Sequence, residues 1–356
     1  DQYLMRNPEF FFSRRFEPAL INPNNPHILE PHLLCAAWEH PLAVQEVAAL
    51  AESAPGLLES LMGRGLLRER RGRIYPDPQL SYPAEKVSIR SIGSSYQIMD
   101  LKRGLLLETV DGAVAMSQLH PGAVYLHQGE TYLVRQLDTR ARTAWAEPCE
   151  VDYYTQAREL TDIRVTKVDL EKRCGRTLVR LGDVQVTNHV IAFRRRRQFT
   201  EEYLGETPLE LPETTFSTRA FWFEVPGDAV DRAVSESGDL PGSLHACEHA
   251  CIGVLPLFAL CDRNDIGGVS TPDGATGLPQ VFVYDAYPGG VGIAEMGYAS
   301  IERLWQSTAK LVSDCPCLEG CPSCIQSPKY GNNNEPLSKE GAIALLTALP
   351  SLPSGT

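Results

Sequence analysis

Ten consecutive residues, Cys315-Pro316-Cys317-Leu318-Glu319-Gly320-Cys321-Pro322-Ser323-Cys324, carry four cysteines in a C-x-C-x3-C-x2-C pattern. Two prolines and a glycine interrupt them, so the segment cannot continue as a helix or build an apolar core of its own. It can bring four thiolates onto one ion. Zinc accepts four sulfurs in a tetrahedron, and close cysteine pairs separated by tight turns suit that geometry. Four protein ligands leave no position open for water or substrate, so the site expected here is structural, with one Zn2+ per chain on Cys315, Cys317, Cys321 and Cys324. An iron–sulfur cluster takes the same number of thiolates, and two disulfides are the reading for an oxidising compartment. The other cysteines are scattered, as buried thiols in a reducing compartment are, and the cytoplasm is the expected location.

A chain of 356 residues has room for two or three domains. No apolar run approaches the length of a bilayer span, and Asp1-Gln2-Tyr3-Leu4-Met5-Arg6 is not a signal peptide, so no membrane partner is expected. Because the first residue is Asp rather than Met, a longer parent protein is expected. No G-x-x-x-x-G-K-[ST] phosphate loop occurs, which excludes a complete P-loop motor. The net charge of −12 argues against nucleic acid only as an average. Residues 1–200 balance to +2 and residues 201–356 to −14. Any phosphate-contacting surface belongs in the first part, and an acidic face that suits a protein partner in the second.

Residues 1–30, with the break Asn22-Pro23-Asn24-Asn25-Pro26, read as a connector. Residues 31–82 read as a winged helix. Leu33, Leu34, Ala37 and Trp38 have helical spacing, as do Val44, Val47, Ala48 and Ala51, and then Leu57, Leu58, Leu61 and Met62. Gly65 ends the third helix, and residues 66–75 suggest two short strands around a basic turn at Arg71-Gly72. Arg64, Arg68, Arg70, Arg71 and Arg73 make this the candidate DNA-binding element, against a winged helix used only for protein packing.

Residues 83–200 turn to short alternating strands, at residues 87–90, 124–134 and 184–191, punctuated at Gly93, Asp111-Gly112 and Gly182-Asp183. They predict a small antiparallel barrel or sandwich. Arg194, Arg195, Arg196 and Arg197 end it, on a phosphate-binding sheet edge or a solvated strand end. Residues 201–350 read as an α/β domain holding the cysteine cluster, with a helix from Ser243 towards Cys261 that Pro256 kinks or ends, a buried strand at residues 281–285, and Ser338 capping a last helix. Residues 351–356 read as a disordered tail. The fold class is thus α+β and multidomain.

Three motifs compete for a catalytic reading. His245-Ala246-Cys247-Glu248-His249 matches H-x-x-E-H, which would place two imidazoles and a carboxylate on a hydrolytic zinc, or simply line an interior. Gly289-Gly290-Val291-Gly292 after a strand would cradle phosphate, or form a turn where only glycine fits. Asp262, Asp265 and Asp285 would serve a nuclease only if they converge, and Asp262-Arg263-Asn264-Asp265 also has the composition of a turn.

The segments Asp1–Arg6, Asn22–Pro26, His32–Ala37, His120–Tyr125, Gly129–Tyr132, Tyr284-Asp285, Pro288–Gly292, Cys321–Ser327, Gly331-Asn332 and Leu337–Lys339 together resemble bacterial superfamily 2 DEAD/DEAH-box helicases of the mitomycin-repair type. The resemblance covers nearly the whole chain. It implies the part of a 3′-to-5′ DNA repair helicase that follows the motor domains, with a winged helix and a four-cysteine zinc domain. ATP would bind in motor domains preceding Asp1, and the implied partners are those domains and DNA with a single-stranded 3′ tail. The cytoplasm, at the nucleoid, is the implied place of action. The resemblance carries the four cysteines over as zinc ligands and no catalytic residue. Besides an accessory DNA-engaging module, a docking module without DNA contact and a zinc hydrolase using His245, Glu248 and His249 stay open.

Overall fold

The computed structural model describes residues 8–13, 19–87, 92, 94–327 and 334–350, and the statements below concern these. The opening motif at residues 1–6, most of the strand expected at residues 87–90, the turn glycine Gly93, Gly331-Asn332 and the 351–356 tail lie outside them.

A one-turn helix covers Pro8–Phe12, and Asn25 sets the first helix of the winged helix. Its side chain accepts the His27 N–H at 2.9 Å, and Pro26 occupies the first turn, where its missing N–H costs nothing. Helix α1 (Pro26–Glu39) therefore starts ahead of the expected Pro31, which is carried inside it. Helices α2 (Val44–Leu50) and α3 (Ala54–Gly63) follow. A wing of β2 (Leu67–Arg70) and β3 (Arg73–Pro76) turns at Arg71 and Gly72, both at positive φ, as a two-residue hairpin requires. A short β1 (Leu42–Ala43) pairs with β3 to complete a winged helix around Leu33, Val47, Leu58, Leu61 and Ile74.

Five strands form the next sheet: β4 (Ser95–Asp100), β5 (Leu106–Asp111), β6 (Val124–His127), β7 (Glu130–Asp138) and β8 (Thr143–Pro148), in the order β5-β4-β8-β7-β6. Its pairs are antiparallel except β4 with β8. Helix α4 (Gly112–Gln118), capped by the Asp111 carboxylate, packs Ala115 and Met116 into its core.

The remaining sheet begins with a long hairpin, β9 (Tyr153–Cys174) and β10 (Thr177–Arg197), paired from Cys174–Thr177 to Tyr153–Arg197. The other side of β10 takes β12 (Thr214–Glu224) along one half and β11 (Tyr203–Pro208) along the other. Strands β13 (Ile266–Thr271) and β14 (Gln280–Asp285) extend the sheet. Helices α5 (Gly227–Ser237), α6 (Leu240–Val254), α7 (Ile293–Ala299), α8 (Ile301–Asp314) and α9 (Lys339–Ala348) accompany it, and their core holds Phe221, Phe223, Leu244, Trp305 and Leu345. Pro256 lies in a 3-10 turn beyond the end of α6.

The hairpin ends at Arg197, short of the expected division at residue 200, and contributes to two cores. Val179 and Leu181 of β10 belong to the helical core, while Val190 of the same strand joins the core of the five-stranded sheet. Gly182-Asp183 does not turn the chain. Gly182 marks a register shift, where an added Cβ would sit 2.0 Å from the Lys167 carbonyl oxygen.

Arg219 on β12 fastens three elements at once. It donates to Asp169 of β9 at 2.5 Å, Asp183 of β10 at 2.6 Å and Glu295 of α7 at 2.8 Å. Lys167 and Arg219 hold the Asp169 carboxyl below the usual carboxylate range. Such a group stabilises the fold above about pH 4 and loses that contribution as pH falls through its folded pKa. Arg219→Met is expected to cost roughly 3 kcal/mol at pH 7, since it strands partly buried carboxylates. The deficit should shrink on acidification in denaturant titrations at stepped pH; a deficit that grows would refute the role.

Candidate metal centre and nucleic-acid interface

After α8 the chain doubles back twice within ten residues and gathers its thiols. Sγ–Sγ distances are 3.5 Å for Cys315–Cys321 and Cys317–Cys324, 3.6 Å for Cys315–Cys317 and 3.7 Å for Cys321–Cys324, with all four atoms within 4.8 Å. A tetrahedron with Zn–S bonds of about 2.3 Å has sulfurs about 3.8 Å apart, whereas a disulfide needs about 2.05 Å. The donor set fits zinc. A tight turn closes the second pair: Cys324 N–H donates to Cys321 O at 3.0 Å, and Cys321 N–H to Cys324 Sγ at 3.3 Å. Cys324 and Ile325 are buried and join the helical core, so the centre is built into the domain's packing.

The H-x-x-E-H residues lie on α6 beside this centre. His245 Nδ1 is 3.0 Å from Pro336 O, and His249 Nδ1 is 3.0 Å from Ile325 O. A carbonyl only accepts, so both Nδ1 atoms carry the proton, and the imidazoles pin the post-cysteine loop to α6. Burial pulls the His245 pKa down, which favours its neutral form. Among the described residues, the four cysteines are the only three or more His, Cys, Asp or Glu residues gathered closely enough to hold a metal ion. The hydrolytic motif therefore lacks a converging third ligand there.

The glycine turn already holds an anion of its own. Asp285 Oδ2 accepts the N–H groups of Val291 at 2.6 Å, Gly292 at 3.0 Å and Ile293 at 3.3 Å, and Oδ1 that of Ala294 at 2.7 Å. Burial pushes this carboxyl up to about 6, against the pull of those amides. The turn also has no room for side chains: at Gly289 (φ +77°) and Gly290 (φ +73°) a Cβ would lie 2.5 Å from Asn25 and 2.4 Å from Arg219. Asn25 fills that gap, its amide nitrogen donating to Pro288 O at 2.9 Å and Gly290 O at 2.8 Å, and Asn22 adds a bond to Gly290 O at 3.3 Å. The expected connector thus fastens the start of the winged helix to the glycine turn. Asn-Pro before a helix signals a cap, but nothing local signals this second contact. Asp262 and Asp265 do not converge with Asp285. Asp262 caps Asn264 at 2.8 Å, and Asp265 accepts from Asp262 N–H and the Tyr287 hydroxyl, both at 2.6 Å.

The basic candidates separate into paired and unpaired groups. Arg64 binds Glu30 at 2.7 Å, Arg68 binds Asp77, and Arg73 donates to Pro41 O at 3.1 Å. Arg70 and Arg71, at the wing tip, are exposed and have no acidic partner among the described residues. The Arg194–Arg197 run is neither on a sheet edge nor wholly solvated, because β9 and β11 flank it. Arg194 binds Glu206 at 2.8 Å, Arg196 donates to Gln156 at 3.2 Å and to Glu201 O at 3.1 Å, and Arg197 binds Glu202 at 2.8 Å as well as Asp152. Arg195 is half-buried between the same strands.

No helix among the described residues is long and apolar enough to cross a membrane. Residues 247–325 match the model of the MrfA Zn-binding domain, and residues 21–92 that of the winged helix domain of ATP-dependent helicase HRQ1. The chain is 36% identical over 330 residues to the uncharacterized ATP-dependent helicase YprA of Bacillus subtilis, covering 91% of this chain and 43% of that protein. It is 24% identical over 367 residues to ATP-dependent helicase HRQ1 of Saccharomyces cerevisiae, covering 97% of this chain and 34% of that one. The crystal structure of the DUF1998 helicase MrfA is similar with a TM-score of 0.60 and 31% identity, over 91% of this chain and 46% of that one. MrfA bound to DNA gives 0.54 and 32%, over 97% and 46%. The chain thus spans less than half of each of these relatives.

Proposed function

Because this chain belongs to the MrfA-type helicase family and corresponds to its C-terminal region, with that family's structural zinc domain and winged helix, we propose that it is the part through which such a helicase engages DNA bearing a single-stranded 3′ tail. It has no catalytic site of its own in this reading. ATP hydrolysis and 3′-to-5′ movement in DNA repair belong to motor domains outside it, and the enzyme works in the cytoplasm, at the nucleoid. Cys315, Cys317, Cys321 and Cys324 hold the zinc, which keeps the region in shape.

The observation that carries the DNA reading is the wing tip. Arg70 and Arg71 are exposed cations without carboxylates to displace among the described residues, on the hairpin of a winged helix. Arg64, Arg68 and Arg73 flank them at the cost of exchanging internal partners. The same exchange makes Arg194–Arg197 secondary contributors, since phosphate has to compete with Glu206, Glu202 and Asp152. The acidic balance of residues 201–356 supports a protein partner for the zinc domain rather than DNA.

Fluorescence anisotropy of the zinc-loaded chain with a 3′-tailed duplex, across a salt series, tests this. Arg70→Glu with Arg71→Glu should weaken binding about tenfold and flatten the plot of log K against log salt by about 0.9 for each phosphate no longer neutralised. Unchanged affinity and slope would move the DNA contact off the wing tip, and no salt-sensitive binding by the wild-type chain would favour a docking module that never touches DNA.

A further inference from the structure

Lys339 opens α9, one residue after the Ser338 cap, and its side chain is folded back into the protein rather than outward. Only 8% of the residue is exposed. An ammonium this far from water is costly unless an opposite charge compensates it. No carboxylate lies within ion-pair distance of it among the described residues. Its amine instead donates to two main-chain carbonyls, Cys315 O at 2.7 Å and Cys317 O at 2.6 Å. Carbonyl dipoles satisfy the donors without balancing the charge.

The balance lies in the cysteines that own those carbonyls. Four thiolates around a divalent zinc carry a formal charge of minus two, and the acidic residues beside them along the chain, Asp314 and Glu319, offer nothing to offset it. We infer that Lys339 is the counter-ion of the zinc–tetrathiolate centre, and that its two hydrogen bonds fix the C-x-C turn so that Cys315 and Cys317 face the metal. The inference rests on the zinc reading of the four cysteines. Lys339 reaches them from across the domain, more than twenty residues along the chain, so it also ties α9 to the cluster. Charge and bracing are separable by substitution. Glutamine keeps N–H donors without the charge, arginine keeps the charge and donors, and methionine keeps only the apolar stem.

The experiment uses the full chain loaded with zinc. Metal content is measured first, and release to a chromogenic chelator is then followed under reducing conditions. A wild-type chain without bound zinc overturns the zinc reading itself. With about one zinc per chain, Lys339→Met and Lys339→Gln should release the metal roughly 10- to 100-fold faster, the range typical when a partner surrounding metal ligands is removed. Lys339→Arg should stay within a few-fold of wild type, and Lys310→Met, at an exposed lysine on α8, should be unchanged. If Lys339→Met does not fold, the glutamine and arginine variants still decide. Glutamine releasing zinc at the wild-type rate overturns the counter-ion role.

Discussion

Cys321→Ser is expected to lose zinc and, with it, the folded state of the zinc domain. Serine cannot supply a thiolate, and three remaining sulfurs leave an open position that water enters. Structural zinc sites in small peptides contribute on the order of 10 kcal/mol or more, comparable with the whole stability of an ordinary domain. The loss has a direct route into the core here. Cys324 and Ile325 are packed among the helices, and the Ile325 carbonyl is the acceptor for His249 on α6. Metal analysis with thermal or denaturant unfolding, run alongside chelation of the wild type, measures it. A variant that keeps one zinc per chain and melts like the wild type would sink the assignment.

Asp285→Ala should have the next largest effect, a loss of roughly 4 kcal/mol. The carboxylate is fully buried and receives four backbone N–H groups in one short turn. Each buried donor left without a partner costs about 1–3 kcal/mol, reduced where the turn relaxes or admits water. Asp285→Asn should lose less, because one oxygen still accepts while the new NH2 meets donors. Chemical denaturation of both variants orders them. An alanine variant as stable as wild type would mean that the glycine turn does not depend on its internal anion, and would return it to consideration as a phosphate cradle.

Much of this was legible from residues. The winged helix follows from three apolar periodicities ended by Gly65 and from a basic turn at Arg71-Gly72, all local signals that the packing preserves. The cysteine cluster is legible because its spacing leaves the thiols few other arrangements. The β region was legible as antiparallel strands, but not in their lengths or pairing. A strand of 21 residues shared by two cores changes which face is buried along its length, so its alternation reads as several short strands, and Gly182 at a register shift imitates a turn. The Arg194–Arg197 run misleads for a related reason: its carboxylate partners, Asp152, Glu202 and Glu206, come from neighbouring strands that only the pairing identifies. Asp285 and Lys339 are single residues whose importance lies in distant backbone groups, and sequence spacing carries no trace of such partners.

The β9–β10 hairpin also decides how the two larger cores are joined. Paired strands of 22 and 21 residues, at about 3.3 Å each, make a continuous ribbon roughly 70 Å long, with register shifts along it. One end joins the core of the five-stranded sheet and the other the helical core, so the two cores share one hydrogen-bonded ladder. The start of the winged helix meets the helical domain through side chains, with the Asn22 and Asn25 amides hooked over the 288–290 turn. Those three hydrogen bonds, with Leu20 packed against the helical core, are few beside the ladder of the hairpin.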